Sequence, residues 1–142
     1  MMLKQVKQGE YMVTLPMSDK SVYGMNVDDL GVCVRNIFDH PDEYKSKIVG
    51  VAGDYLKGTE VTNILNKQLA PNKFVYANLS LDAFRGFGFP GAEELGNMFE
   101  YFQLEKMPRD IKLAKKLNPA TLSFSDWLNK NKQDILKKLP QA

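Results

Sequence analysis

The segment Gly86-Phe87-Gly88-Phe89-Pro90-Gly91 has the spacing G-x-G-x-x-G, and a helical pattern follows it. That spacing holds a pyrophosphate when a strand leads into it and the N-terminus of the next helix faces the phosphates. Here the preceding Leu81–Arg85 is interrupted by polar residues and reads as a helical turn. Glu93 and Glu94 occupy the first turn of the following helix, where an anion would sit. The pattern therefore predicts a tight structural loop rather than a dinucleotide cradle. Phe87, Phe89 and Tyr101 offer flat surfaces and Arg85 one fixed cation. Apolar lining with few polar groups is common to clefts and to cores, so these four are the candidate cleft or interaction residues. None is assigned a cofactor contact.

Other chemistry is sparsely provided. His40 is the one histidine and Cys33 the one cysteine. Both fall on one helical pattern, two turns apart, too far for a nucleophile–base hydrogen bond. His40 is placed to interact with the end of that helix, and Cys33 reads as a small buried apolar residue. Zinc needs three or four soft or imidazole ligands, which one Cys and one His do not supply, and no calcium-loop spacing occurs. The acid pairs Asp28-Asp29, Asp42-Glu43 and Glu93-Glu94 are adjacent in sequence, so on a helix they do not face one site. A short-chain dehydrogenase would place lysine four residues after its catalytic tyrosine, and none of the six tyrosines has one there. No catalytic residue and no metal ligand are assigned; the expectation is a protein that is not an enzyme.

Charge is uneven. Ten basic and thirteen acidic side chains precede Gln103, and nine basic and four acidic ones follow from there. Lys112, Lys115 and Lys116 fall on one helical face and form a candidate basic surface, for which a solvated face is the plainer reading. No nucleic-acid reading module accompanies it, and no nucleic-acid partner is expected.

Elements must position these residues. Residues 1–9 are polar and read as frayed. Glu10 to Leu15 alternates as a strand, and Val22 and Tyr23 pair briefly. A helix starts after Asn26 as N-cap, with Asp29 near its positive end. Its apolar face is Val27, Leu30, Val34, Ile37 and Phe38, and Pro41 ends it. Ile48 to Ala52 reads as an internal parallel strand, apolar on both faces. Such a strand needs neighbours that this chain hardly provides, and its exposed edges invite association. Thr59 caps a helix with Val61, Ile64, Leu65 and Leu69 buried. Phe74 to Ala77 is a strand, Ser80 caps a turn, and Ala92 to Leu104 is a helix with Leu95, Met98, Phe99 and Phe102 on one side. A short helix from Asp110 to Leu117 ends at Asn118-Pro119. A Ser123/Asp126 capping pair opens the last helix.

The chain has 142 residues, 44% hydrophobic and 25% charged, with a formal net charge of +2. These values fit one soluble globular region spanning 1–142. A single cysteine allows no intrachain disulfide and fits a reducing compartment. No apolar run is long enough to span a bilayer, and no secretory signal is read at the start. The sequon at Asn78 is accordingly expected to be unused.

Several ordered motifs resemble the NmrA-like family. They are Gly24-Met25-Asn26-Val27-Asp28-Asp29-Leu30-Gly31, then Ile48-Val49-Gly50-Val51-Ala52-Gly53 with Gly58-Thr59-Glu60, and most specifically Gly88-Phe89-Pro90-Gly91-Ala92-Glu93-Glu94-Leu95-Gly96-Asn97-Met98-Phe99. Arg109-Asp110-Ile111, Leu117-Asn118-Pro119 and Ser125-Asp126-Trp127-Leu128 follow in the same order. The resemblance implies an α/β fold of the atypical short-chain dehydrogenase type, Rossmann-like but without competent redox chemistry. It also implies regulators, including regulators of transcription, that sense reduced against oxidised NADP in cytoplasm and nucleus. The portion with the family's glycine-rich loop and 2′-phosphate arginine has no counterpart in these residues. The expectation is thus the C-terminal part of the fold, three or four short strands with about five helices, acting as a non-catalytic regulatory or interaction module. No cofactor is expected for the isolated chain, with NADP implied by resemblance only, and a protein partner or self-association is expected. The alternatives are an NADP(H)-sensing regulator completed by a partner chain or by the N-terminal half, and a remnant of an NAD(P)-dependent oxidoreductase.

Overall fold

The computed structural model describes residues 2–104 and 108–140, and among these lie five strands and eight helices in a mixed α/β arrangement. The chain divides into two compact units. One comprises Met1–Val22, Leu56–Lys106 and Asn131–Ala142, the other Tyr23–Tyr55 and Met107–Lys130.

In the first unit, β1 (Met2–Lys7) pairs antiparallel with β2 (Glu10–Thr14), turning at Gly9, whose φ of 73° suits a residue without Cβ. The other edge of β2 runs parallel to a later strand, Lys73–Ala77, in the register Tyr11↔Phe74 and Val13↔Tyr76. Parallel neighbours need a crossover, here the helix Gly58–Gln68, which buries Val61, Leu65 and Leu69. Asn66 of that helix accepts from the Phe74 N–H at 2.7 Å and donates to the Phe74 carbonyl at 2.8 Å, satisfying backbone of the Lys73–Ala77 strand. A second core gathers Leu15, Met17, Phe84 and Phe99, with Phe89 and Phe102 packed against it. The short helix Lys132–Lys137 also belongs to this unit.

In the second unit, α1 (Val27–Asp39), α2 (Pro41–Tyr44) and the later helix Ile111–Leu117 contribute to a core of Cys33, Tyr44, Val51, Ala114 and Leu117, and the helix Phe124–Lys130 buries Leu128. Within this unit Tyr23 stacks on Tyr55 with centroids 4.1 Å apart; these residues belong to β3 (Ser21–Gly24) and β4 (Asp54–Lys57), which pair as a two-stranded sheet. In chain order the remaining elements are α3 (Gly58–Gln68), β5 (Lys73–Ala77), α4 (Leu81–Arg85), α5 (Ala92–Gln103), α6 (Ile111–Leu117), α7 (Phe124–Lys130) and α8 (Lys132–Lys137).

Four expectations are corrected. Residues 2–7 are a strand, because the alternation of Leu3 and Gln5 finds a partner in β2 that polar composition alone does not reveal. Ile48 to Ala52 is not a strand: its pairing among the described residues is the single parallel bridge Val51↔Asp110, and Ile48 is 92% exposed. A parallel strand exists only where neighbours supply its ladder. Helix α3 starts two residues early, with Lys57 as its N-cap and Glu60 accepting from the Lys57 N–H at 2.7 Å, so Thr59 lies inside it. The apolar face assigned to α1 is largely exposed, while the buried side carries Asp29 and Cys33.

Candidate functional site

The glycine-rich loop is built around Phe84, which is fully buried. The rings of Phe87, Phe89 and Phe99 meet it edge-on at 5.8, 5.9 and 5.5 Å, the arrangement that aromatic quadrupoles favour. Gly88 and Gly91 have φ of 66° and 86°, and Gly86 closes α4 in ordinary right-handed geometry. Backbone requirements thus account for Gly88 and Gly91, but not for Gly86. A helix leads into the loop, as its polar-interrupted sequence predicted.

Arg85 is tied in place. Its guanidinium pairs with Glu100, donates to Asn97 Oδ1 at 2.8 Å and lies 3.4 Å from Asp82. Gly96 makes this possible, since a Cβ there would stand 2.6 Å from Arg85 Cγ. The cation therefore straps α4 to α5 with its charge compensated. Phe89 packs against the core, Phe87 is half-exposed, and Tyr101 lies exposed beside Phe102. The structure brings Arg85, Phe87 and Phe89 to one loop–helix corner and sets Tyr101 further along α5. Glu93 and Glu94 stand in the first turn of α5. With its arginine neutralised and carboxylates at the helix start, this corner does not fit a dinucleotide pyrophosphate.

A second cluster, absent from the sequence reading as a unit, centres on Asp29. Its carboxyl oxygens accept from the Leu122 N–H at 3.0 Å and from Asn118 Nδ2 at 3.4 Å, and both Asp29 and Asn118 are buried. The Asn-Pro helix stop was the only signal of it. Ser123 and Asp126 form the expected capping pair, and Asp54 accepts from the Phe124 N–H. These are anchoring contacts for α7.

Lys112, Lys115 and Lys116 are exposed on α6. Lys116 donates to Glu43 at 2.8 Å. That hydrogen bond raises the ammonium above its ordinary pKa and lowers the Glu43 carboxyl below the usual range, while burial raises the neighbouring Tyr44 phenol. His40 Nδ1 lies 2.8 Å from the Asn36 carbonyl in the last turn of α1, as expected of a histidine there. Cys33 is buried with its thiol 3.6 Å from the Ala114 carbonyl, and burial pushes its pKa up. Among the described residues, no three His, Cys, Asp or Glu side chains gather as a metal site would require, and no helix is long and apolar enough to cross a membrane.

The sequence pattern of the NmrA-like family matches residues 1–129. Among solved structures, the chain is similar to a nucleoside-diphosphate-sugar epimerase from Staphylococcus aureus (TM-score 0.69, 17% identity, covering 83% of this chain and 43% of that one). It is also similar to the Citrobacter sp. triphenylmethane reductase complexed with NADP(H) (TM-score 0.64, 12% identity, 84% and 44%). At such identities the likeness is one of fold. The chain spans less than half the length of either protein.

Proposed function

Because the chain belongs to the NmrA-like family, we propose that it acts as a non-catalytic regulatory or interaction module carrying the C-terminal part of that fold. The observation that supports this most directly is the state of Arg85. The cation beside the glycine-rich loop is paired with Glu100 and donates to Asn97, and Glu93 and Glu94 stand in the first turn of the helix beyond. A phosphate cradle needs donors and positive potential directed at the ligand, and this corner directs carboxylates there instead. The region acts, on this reading, through its surfaces, in cytoplasm or nucleus. Isothermal titration of the purified chain with NADPH tests it: no measurable heat of binding is expected, and a micromolar-or-tighter constant would refute it.

A second reading is favoured by the similarity to a reductase complexed with NADP(H). There the chain is part of an NADP(H)-sensing regulator, akin to the NADPH-sensing NmrA-like family domain-containing protein 1 that its motifs resemble. The nucleotide contacts would then come from a partner chain or from an N-terminal half. Copurification of a nucleotide-loaded complex from cells would favour this reading over the first.

A further inference from the structure

We propose that Tyr23 and Tyr55 form a site of oxidative modification, which a one-electron oxidant couples into a dityrosine that closes the second unit covalently on itself. The inference goes beyond the interaction reading above and does not rest on it. Its basis is a contact inside one chain, so it does not depend on what covers any surface.

Among the described residues, this is the one pair of tyrosine rings in contact. Tyr11 stacks on Phe74, Tyr44 sits in the core with Cys33, the Tyr76 hydroxyl donates to the Leu15 carbonyl, and Tyr101 lies beside Phe102. Tyr23 and Tyr55 face one another with centroids 4.1 Å apart and planes inclined by 24°. That is closer than most aromatic pairs and puts the two faces in van der Waals contact. The backbone holds them there. The Gly53 N–H donates to the Gly24 carbonyl at 2.8 Å, beside both tyrosines. Gly53 is itself hemmed in, since a Cβ on it would stand 2.9 Å from the Leu122 carbonyl. Asp54 accepts from the Phe124 N–H, which ties the residue before Tyr55 to the entry of α7. The rings cannot part without breaking these contacts.

The chemistry is a two-electron oxidation. Each phenol gives one electron to the oxidant and its O–H proton to water, leaving a phenoxyl radical whose unpaired electron is shared with the ring carbons ortho to oxygen. One ortho carbon of each ring pairs its electron with the other in a new C–C bond. Each of those carbons then loses its hydrogen as a proton, and the two phenolic oxygens are reprotonated. Stacking suits the bond-forming step, because the unpaired electrons occupy the π systems and these overlap face to face. Partners already in contact need no diffusional encounter, and such positioning gives a high effective concentration. The new bond spans the segment that carries α1, α2 and Val51. Closing it restricts the unfolded chain, so oxidation locks this unit.

Tris(bipyridyl)ruthenium(III), generated by light and persulfate and reduced to ruthenium(II) by the two electrons, is the test oxidant. Oxidation of the dilute full chain should give dityrosine fluorescence in a monomer-sized band. Trypsin cuts after Lys20, Arg35, Lys47 and Lys57, and mass spectrometry should find peptides 21–35 and 48–57 joined, lighter than their sum by two hydrogen atoms. Tyr23→Phe and Tyr55→Phe each keep a stacked ring but lack the phenol, and each should abolish this product. Tyr101→Phe should leave it unchanged. Oxidation in urea, where the stack is lost, should lower the yield at least about tenfold. The coupled chain should unfold at a higher urea midpoint than the untreated one. Absence of the joined peptides, their survival in either phenylalanine variant at the pair, their loss in Tyr101→Phe, an undiminished yield in urea, or coupling only between molecules would each overturn the proposal. An unchanged urea midpoint would overturn the lock. None of these results depends on NADPH binding, so failure here and failure of the functional reading are separable.

Discussion

Gly58 opens α3 with no room for a side chain. A Cβ there would stand 2.8 Å from Cδ2 of Tyr76 and closer still to Cε2 and Cζ. Tyr76 cannot easily retreat, because its hydroxyl donates to the Leu15 carbonyl at 2.7 Å and its ring packs against the Leu15, Met17 and Phe84 core. Burial also raises its phenol pKa, so it remains a donor throughout the neutral range. Gly58→Ala should therefore incur an overpacking cost of about 1–3 kcal/mol, offset by up to about 1 kcal/mol of helix propensity. The expected net loss is about 1–2 kcal/mol. In a Tyr76→Val background, which keeps a strand-favouring side chain but removes the obstructing ring atoms, the same substitution should be neutral or stabilising. Urea unfolding followed by far-ultraviolet circular dichroism on the four members of the cycle measures the coupling directly. An equal effect of Gly58→Ala in both backgrounds, or a stabilised single variant, would refute the steric account.

Two further outcomes follow from the second unit. Asp29→Ala strands the Leu122 N–H and the buried Asn118 amide; it should cost about 1–3 kcal/mol in thermal or urea unfolding, and Asp29→Asn, which keeps one acceptor, should lose less. The Glu43–Lys116 pair gives a pH signature. The lowered Glu43 pKa means its contribution is complete above the unfolded carboxyl value of about 4.3 and is lost as pH falls through the folded value. The raised Lys116 pKa means its share is complete below about 10.4 and is lost as pH rises through the folded value. Lys116→Met should therefore lower stability slightly between those limits, and the difference from the parent should vanish in acid. A difference that persisted at the lowest pH would show that Lys116 acts through packing of its stem instead.

Local rules carried much of the sequence reading. The Ser80 cap, the Asn118-Pro119 stop and the Ser123/Asp126 pair are each written within four residues, and each is present in the fold. The eight helices exceed the expected five mainly because α2 is a single turn after Pro41 and the last helix breaks at Asn131. Non-local partners were the illegible part. Nothing near Met2–Lys7 announces that β2 will accept it, and nothing in Ile48–Ala52 shows that its ladder will be a single bridge. Periodicity showed that α1 has an apolar face but not what covers it, since burial depends on a neighbour that a helical repeat does not encode. At the loop, Arg85, Phe87 and Phe89 come to one corner, but the pairing of Arg85 with Glu100 across Gly96 was not legible in the sequence.

The grip of Asn66 on Phe74 has a consequence for how this polypeptide behaves at high concentration. Strand margins recruit strands from other molecules when their peptide groups are unsatisfied, the first step towards fibrils. With one carboxamide occupying both hydrogen-bonding groups of Phe74, an incoming strand would have to displace a bond pair already made before it could add to that margin. A single asparagine thus serves as a built-in guard against runaway polymerisation, at the place where exposed Val75 would otherwise reward it.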